Sequence, residues 1–137
     1  MYDELTVAYE RLSKQYDLRI VPIGTAFQKA REMKEWSFSF PDPNFNYESP
    51  THPNVPVQTG SLNTGWIWRK NKKTGEIRFQ RDSNHANAIG CYLGGLVHFE
   101  FLFGESVDPE SVFMLDKLDR AQVKSLVEAA HSSFESQ

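Results

Sequence analysis

Residues 88–103 are apolar on nearly every side of a helical projection, and this stretch limits most strongly how the chain can fold. Gly90, Gly94 and Gly95 within it allow close approach of a neighbouring backbone, so we predict a buried helix that must be covered on several sides. We interpret its polar residues, His98 and Glu100, as a solvent-facing stripe. No apolar run in the chain reaches the roughly 18 residues of a membrane span, so we expect no membrane partner.

The first third of the chain predicts two helices with a short strand between them. Apolar residues recur at three- and four-residue steps over residues 2–16, as in an amphipathic helix. Residues 18–24 are almost continuously apolar, which is typical of a strand in a parallel sheet, with Pro22 at its end or at the sheet edge. Thr25 is then expected to cap a second helix. The apolar positions are Tyr2, Leu5, Tyr9, Leu12 and Tyr16 in the first helix, and Ala26, Phe27, Ala30 and Met33 in the second.

Residues 34–62 change in character, because their five prolines exclude a long helix or a central strand. We predict a long ordered loop. Its aromatic side chains are too numerous for a disordered linker, so they cover either a core edge or the rim of a substrate site. His52 has no second His or Cys at ligand spacing, and we predict no metal site. The aromatic residues are Trp36, Phe38, Phe40, Phe45 and Tyr47.

A hairpin and a terminal helix complete the predicted elements. Two short strands at residues 66–69 and 76–79 lie within a hairpin that spans residues 65–80. Asp119 and Gln122 match a capping box for the last helix. Among the predicted elements, only the strand at residues 18–24 is typical of a parallel sheet, whereas a doubly wound sheet needs several such strands. We therefore expect either a homo-oligomer or a missing N-terminal half that covers the open strand.

Composition narrows the possible partners. A length of 137 residues with 39% hydrophobic content fits one globular domain. The net charge of −3 gives no long-range attraction for nucleic acid, and we interpret the basic cluster at residues 69–73 as the hairpin turn. The single cysteine, Cys91, excludes an intrachain disulfide, and we predict that it is packed in the core.

Residues 81–87, with the sequence R-D-S-N-H-A-N, place an acid three positions before a histidine. Asp82 at this spacing can accept a hydrogen bond from one ring nitrogen of His85 and fix its tautomer. The other nitrogen is then available to take a proton from a hydroxyl nucleophile. In the alternative interpretation, Asp82 caps the following helix. The catalytic interpretation predicts an Asp82 oxygen within about 3.2 Å of a His85 ring nitrogen, and the alternative predicts contacts with backbone amides only.

Three further segments accompany this motif. Residues 82–94 follow the pattern D-x-x-H-x-N-x-x-G-x-Y-L-G, residues 103–107 read F-G-E-S-V, and residues 61–66 read S-L-N-T-G-W. Together they resemble the C-terminal half of SGNH (GDSL-like) hydrolases, and the resemblance extends from Tyr2 to about His131. The residues that fit the first pattern are Asp82, His85, Asn87, Gly90, Tyr92, Leu93 and Gly94.

The resemblance implies a three-layer α/β/α, flavodoxin-like fold of which residues 1–137 are the C-terminal part. It implies a serine ester hydrolase that needs no cofactor and acts on a small-molecule or carbohydrate ester, in a family that is often exported. Asp82 would orient His85, which would act as general base. Trp66 and Asn87, which fit the motifs, and Trp36 from the aromatic loop are the candidates for substrate contact.

In the family, the serine nucleophile lies near the N-terminus in a G-D-S-like or G-N-S-like block, and a Gly and an Asn from later blocks complete the oxyanion hole. None of these three blocks occurs here. Ser61 follows Gly60 but lies in a Pro- and Asn-rich region, so we do not assign it as the nucleophile. We therefore expect the serine to come from an N-terminal half that is missing here, and this chain alone to be inactive.

Two other functional classes remain open. A non-catalytic binding or assembly protein could retain Asp82 and His85 as a structural hydrogen-bonded pair, and the lack of a serine block favours it. A hydrolase based on a lone histidine or on cysteine would need an exposed Cys91 close to His85.

Overall fold

The computed structural model describes residues 2–38 and 42–135. This part of the chain contains four α-helices and a two-stranded antiparallel sheet, so the protein is of mixed α/β type, as predicted at that level. Phe40 of the aromatic loop lies outside the described residues. The elements are α1 (Tyr2–Tyr16), α2 (Ile23–Glu32), a 3-10 helix (Lys34–Trp36), β1 (Asn63–Lys70), β2 (Ile77–Ala86), α3 (Ala88–Phe103) and α4 (Arg120–Ser132).

The chain divides into two compact units. One comprises Met1–Lys29 with Leu93–Gln137, and the other comprises Ala30–Tyr92. Within the first unit, α3 and α4 supply most of the buried apolar side chains. The predicted capping box at the start of α4 is confirmed, because Asp119 Oδ1 accepts the N–H of Gln122 at 2.8 Å and Gln122 Oε1 accepts the N–H of Asp119 at 3.0 Å. The buried residues of these helices are Leu93, Leu96, Val97, Val123, Leu126, Val127, Ala129 and Ala130.

The strand predicted over residues 18–24 is wrong, because residues 18–22 form an irregular connection, and Ile23 and Gly24 already belong to α2. No other strand in the described part of the unit is available to receive the hydrogen bonds of this segment. Pro22 instead precedes the first helical residue, Ile23, and its carbonyl accepts the N–H of Ala26 at 3.0 Å. A fixed proline φ suits a helix start. Thr25 is therefore inside α2 rather than at its cap, and its hydroxyl lies 2.9 Å from that of Tyr2.

Helix α3 is present as predicted, but one face of it is buried rather than all sides. Leu93, Leu96, Val97 and Glu100 recur at helical spacing along the buried face. Glu100 is only 8% exposed, which corrects the prediction that it faces solvent, whereas His98 is exposed as predicted. The Glu100 carboxylate accepts the N–H of Val107 at 3.1 Å and lies 3.3 Å from His131 Nδ1.

The other face of α3 is exposed. Phe99, Leu102 and Phe103 lie on it with substantial accessible surface. Cys91 is also exposed, so the prediction that it packs in the core is wrong. The physical reason is that an apolar helix is buried only where a neighbouring element covers it, and the positions of Cys91, Phe99, Leu102 and Phe103 on α3 are not covered. None of the described helices is long and apolar enough to cross a membrane.

Helix α1 forms over the predicted residues, but its apolar stripe is not covered. None of the side chains of α1 is buried. Contiguous apolar surface of this kind usually marks an interaction site. Leu5, Tyr9, Leu12 and Tyr16 are each at least 40% exposed.

We predict that the chain is an oligomer, or bound to a second polypeptide, at micromolar concentration, because the α1 stripe and the outer face of α3 expose large apolar side chains. Replacing Leu5 or Leu12 by Glu would place a charge in the stripe and lower the mass measured by light scattering. Val7→Glu is the matched control, since Val7 is exposed on the opposite side of α1. A compact, cooperatively folding monomer in the wild-type protein would contradict the prediction.

Candidate functional site

The predicted acid–histidine motif lies in an irregular part of the hairpin, not in a loop. Strand β2 extends from Ile77 to Ala86 and pairs with β1, so that Gly65 lies opposite Asp82 and Asn63 lies opposite Ala86. Between these two pairs, Thr64 alone faces residues 83–85 of β2, which defines a bulge. In a regular strand, side chains three residues apart point to opposite faces. The bulge removes this alternation and allows Asp82 and His85 to meet.

The contact between the two side chains is direct. His85 Nδ1 lies 2.9 Å from Asp82 Oδ1 and 3.0 Å from Oδ2, which confirms the predicted distance. The backbone N–H groups of His85 and Asn84 also donate to Asp82 Oδ1, at 3.1 and 3.3 Å. Arg69 donates to Oδ2 at 3.2 Å. The alternative in which Asp82 caps the following helix is wrong, because its amide contacts are made within the bulge.

Asp82 is held in place while His85 is presented to solvent. The Asp82 side chain is 10% exposed and that of His85 is 78% exposed. Within the described residues, His85 Nε2 makes no hydrogen bond. The hydrogen bond from the His85 ring, followed by that from the His85 backbone, lowers the pKa of Asp82 to about 2. The pair therefore combines an acid that is ionised at neutral pH with an open ring nitrogen.

Asn87 occupies a structural position between the hairpin and α3. Its Oδ1 accepts the N–H groups of Ile89 and Gly90, both at 2.9 Å, and so caps α3. Its Nδ2 donates to the carbonyls of Ser61 at 2.6 Å and Asn63 at 3.1 Å. Both donors and both acceptor positions of the amide are used. The structure thus gives Asn87 an anchoring role and leaves it no hydrogen-bonding group for a substrate.

The two predicted tryptophans lie together at a cavity of about 420 Å³ in the Ala30–Tyr92 unit. Trp36 is 1% exposed, and Trp66 stacks on Phe79 with ring centroids 4.8 Å apart and planes 8° from parallel. The described residues that line the cavity do not include Asp82 or His85. The structure therefore brings the predicted residues together as two groups, the acid–histidine pair and the tryptophan cavity.

Two residues at the site were missed from the sequence. Arg69 was interpreted as part of the hairpin turn, but it lies on the same face of β1 as Gly65, and this is the face on which Asp82 is paired. Only the strand register reveals this. Gln58 holds the outer edge of β1, because its side chain accepts the N–H of Trp66 at 2.6 Å and donates to the Trp66 carbonyl at 3.0 Å. No sequence signal in residues 34–62 distinguishes this glutamine.

No nucleophile accompanies His85 in the described part of the chain, where no hydroxyl or thiol forms a hydrogen bond with its ring. Ser61 is buried, and its Oγ donates to the carbonyl of Asn63 at 2.9 Å. The exposed Cys91 has no hydrogen bond with His85. Among residues 2–38 and 42–135, no cluster of three His, Cys, Asp or Glu side chains could hold a metal ion.

Comparison with protein-family models, with curated proteins and with solved structures gives no match to this chain. Its function is therefore inferred from the geometry of the site and from the resemblance of its motifs.

We predict that Asp82 titrates near pH 2 and that His85→Ala raises its pKa toward the ordinary value of 3.8, because the largest cause of the shift is removed. The folded-state pKa is the lower one, so the stabilising effect of ionised Asp82 is complete above pH 3.8 and is lost as the pH falls from there through 2. Carbon-13 NMR of the carboxyl group measures the titration, with His98→Ala as control. An Asp82 that titrates near 3.8 in the wild-type protein would refute the geometry.

We predict that Gly65→Ala destabilises the protein more than Gly75→Ala does. Both glycines have positive φ, 71° and 73°, so each alanine costs about 1–2 kcal/mol of backbone strain. A Cβ at residue 65 would also overlap Gln58 Oε1 and break its hydrogen bonds to Trp66, whereas a Cβ at residue 75 meets nothing within 4 Å. Urea denaturation of the two variants measures the difference. Equal losses of stability would show that Gln58 does not hold β1.

Proposed function

We propose that this chain carries the acid–base pair of an SGNH-type serine ester hydrolase that acts on acyl groups bound to carbohydrate. The observation that supports the proposal is the contact of the Asp82 carboxylate with His85 Nδ1 at 2.9 Å, with Nε2 open. In such a reaction Nε2 takes the proton of a serine hydroxyl as the oxygen attacks the ester carbonyl, and then returns it to the leaving alcohol. The proposed reaction needs no cofactor.

Asp82 is suited to support this proton transfer. Both of its oxygens lie within 3.0 Å of Nδ1, which favours the tautomer with the proton on Nδ1 and leaves Nε2 as the basic nitrogen. Its low pKa keeps it ionised, so its negative charge stabilises the imidazolium that forms during the reaction. Arg69 and two backbone N–H groups fix the carboxylate in this orientation.

The nucleophile belongs, in this proposal, to a segment that this chain does not contain. The exposure of the His85 ring leaves room for a serine to approach Nε2. The same segment would supply the strands of a three-layer α/β/α fold, with the hairpin and α3 at the C-terminal side of the site. We propose an assembly of this kind with an N-terminal half. The exposed apolar surface of α1 and α3 supports association with that half, or with a second copy of the chain that would not itself supply the serine.

A second candidate is a non-catalytic binding or assembly protein. It is favoured by the multiple hydrogen bonds that Asp82 receives, because those from Asn84, His85 and Arg69 stabilise the bulge whether or not catalysis takes place. In this alternative the pair is structural and the protein has no esterase activity. Replacing His85 would then change only the free energy of unfolding.

The test uses the protein expressed from its complete coding sequence and assayed on p-nitrophenyl acetate and on acetylated oligosaccharides. We expect a serine that reacts with a fluorophosphonate, and a decrease in kcat of about 10²–10⁴-fold in His85→Ala, since this is the range for general-base catalysis. His98→Ala, which removes another exposed histidine, should retain full activity. Absence of both ester hydrolysis and phosphonate labelling would refute the hydrolase and leave the binding protein.

The isolated 137-residue chain gives a complementary prediction. Its hydrolysis of p-nitrophenyl acetate should fall no more in His85→Ala than in His98→Ala, because without its serine His85 can react only as any exposed imidazole does, and the acyl-serine route is missing. A His85-dependent rate together with a phosphonate adduct on this chain would place the nucleophile within it and make Ser61 the first residue to test.

A further inference from the structure

The cavity of the Ala30–Tyr92 unit combines aromatic walls with two cationic side chains. None of the described residues that line it is acidic, so the charged side chains among them are both positive although the chain as a whole carries a net charge of −3. Its volume of about 420 Å³ lies within the ~300–1,000 Å³ typical of small-molecule sites. The residues that define its chemistry are Arg31, Trp36, Gln58, Asn63, Trp66 and Arg81.

One of the two guanidinium groups is oriented by an amide. Arg31 donates to Asn63 Oδ1 at 2.8 Å, and Asn63 Nδ2 in turn donates to the carbonyl of Ser83 at 3.0 Å. The Asn63 side chain is therefore fixed between Arg31 and Ser83, which lies two residues after the second arginine, Arg81, on β2. A planar guanidinium held in this way is suited to a carboxylate, which it binds through two parallel hydrogen bonds.

Strand register sets the face of the sheet from which the second arginine, Arg81, projects. Arg81 pairs directly with Trp66 across the hairpin, so the two side chains project from the same face of the sheet. The Trp66 ring is held by its stack with Phe79 and by Tyr47, whose ring centroid lies 5.4 Å away, and the Trp66 backbone is held by Gln58. An aromatic surface is thus placed beside a positive charge before any ligand arrives, which lowers the ordering cost of binding.

We propose that this cavity binds a ring compound that bears a carboxylate. Arg31 and Arg81 would contact the carboxylate, and Trp66 would pack against the apolar face of the ring. Both sugar acids and aromatic acids have this chemistry. The link between the ligand and the ester substrate rests on the proposed function, whereas the binding itself does not, because Asp82 and His85 do not line the cavity.

The experiment measures binding of three probes, glucuronate, glucose and benzoate, by calorimetry and by the NMR shifts of Trp66 and Gln58. We expect glucuronate to bind at least tenfold more tightly than glucose, and the affinity to fall as the salt concentration rises. Tighter binding of glucuronate than of benzoate identifies a sugar acid, and the reverse order identifies an aromatic acid, both within the proposal. Affinities for glucuronate and benzoate that both fail to exceed the affinity for glucose, or shifts that leave Trp66 and Gln58 unchanged, would overturn it.

Variants of the two arginines test which positive charge binds the carboxylate. Arg81→Gln should weaken glucuronate binding at least tenfold, and Arg31→Gln is a second variant at the other side of the cavity. Arg78→Gln is the matched control, because Arg78 lies on β2 three residues away and pairs with Glu76 outside the cavity. His85→Ala should bind glucuronate normally, so a failed esterase assay and a failed binding assay are distinguishable. Unchanged binding in both Arg81→Gln and Arg31→Gln would refute the proposal.

Discussion

The antiparallel pairing of β1 with β2, and its interruption opposite Thr64, is the constraint on which both groups of candidate residues depend. The register places Asp82 opposite Gly65 and Arg81 opposite Trp66. Adjacent residues of one strand therefore serve opposite faces of the hairpin, with the acid on one face and the cavity arginine on the other. The bulge then changes the direction of β2 and brings His85 back to Asp82. A shift of one residue in the pairing would exchange the two faces.

Several side chains hold this irregular register in place. Asn87 ties the start of α3 to the carbonyls that precede and begin β1, and Gln58 occupies the backbone groups of Trp66 at the outer edge of that strand. Gly65 is needed because a side chain there would displace Gln58. The Asp82 carboxylate also accepts N–H groups inside the bulge. The acid that orients His85 thus stabilises the backbone that positions it, and a variant at Asp82 will affect both.

Helix α3 has a buried stripe and an exposed apolar face, and the exposed face bears on assembly. It buries one stripe, which includes the carboxylate of Glu100 beside His131, and exposes Phe99, Leu102 and Phe103. Burial of the acidic side chain is tolerated because its oxygens are paired with the N–H of Val107 and the ring of His131. The apolar side chains of Phe99, Leu102 and Phe103 remain exposed to water, as do those of the stripe on α1. Both surfaces are consistent with a chain that associates with another polypeptide.

The sequence by itself determined the local features of this protein. Helical periodicity located α1 and α4, and the nearly continuous apolar run located α3. The capping pair Asp119 and Gln122 fixed the start of α4, and the turn residues located the hairpin. The spacing of Asp82 and His85 predicted their contact. Each of these depends on residues that are close along the chain, so propensity and side-chain chemistry are sufficient to specify them.

Tertiary structure alone decided the features that depend on distant partners. Residues 18–22 have the composition of a strand, but a strand forms only where a neighbour accepts its hydrogen bonds, and Pro22 begins a helix instead. Glu100 and Cys91 exchanged their expected environments because distant residues decide which side of α3 is covered, as the contacts of Glu100 with Val107 and His131 show. Arg69, Gln58 and the tryptophan cavity became visible only through the register of the hairpin, since hydrogen bonds between strands carry no signature in the local sequence. The sequence thus determined the chemistry of the Asp82–His85 pair, and the bulge, which exists only between two strands, decided where that chemistry is presented.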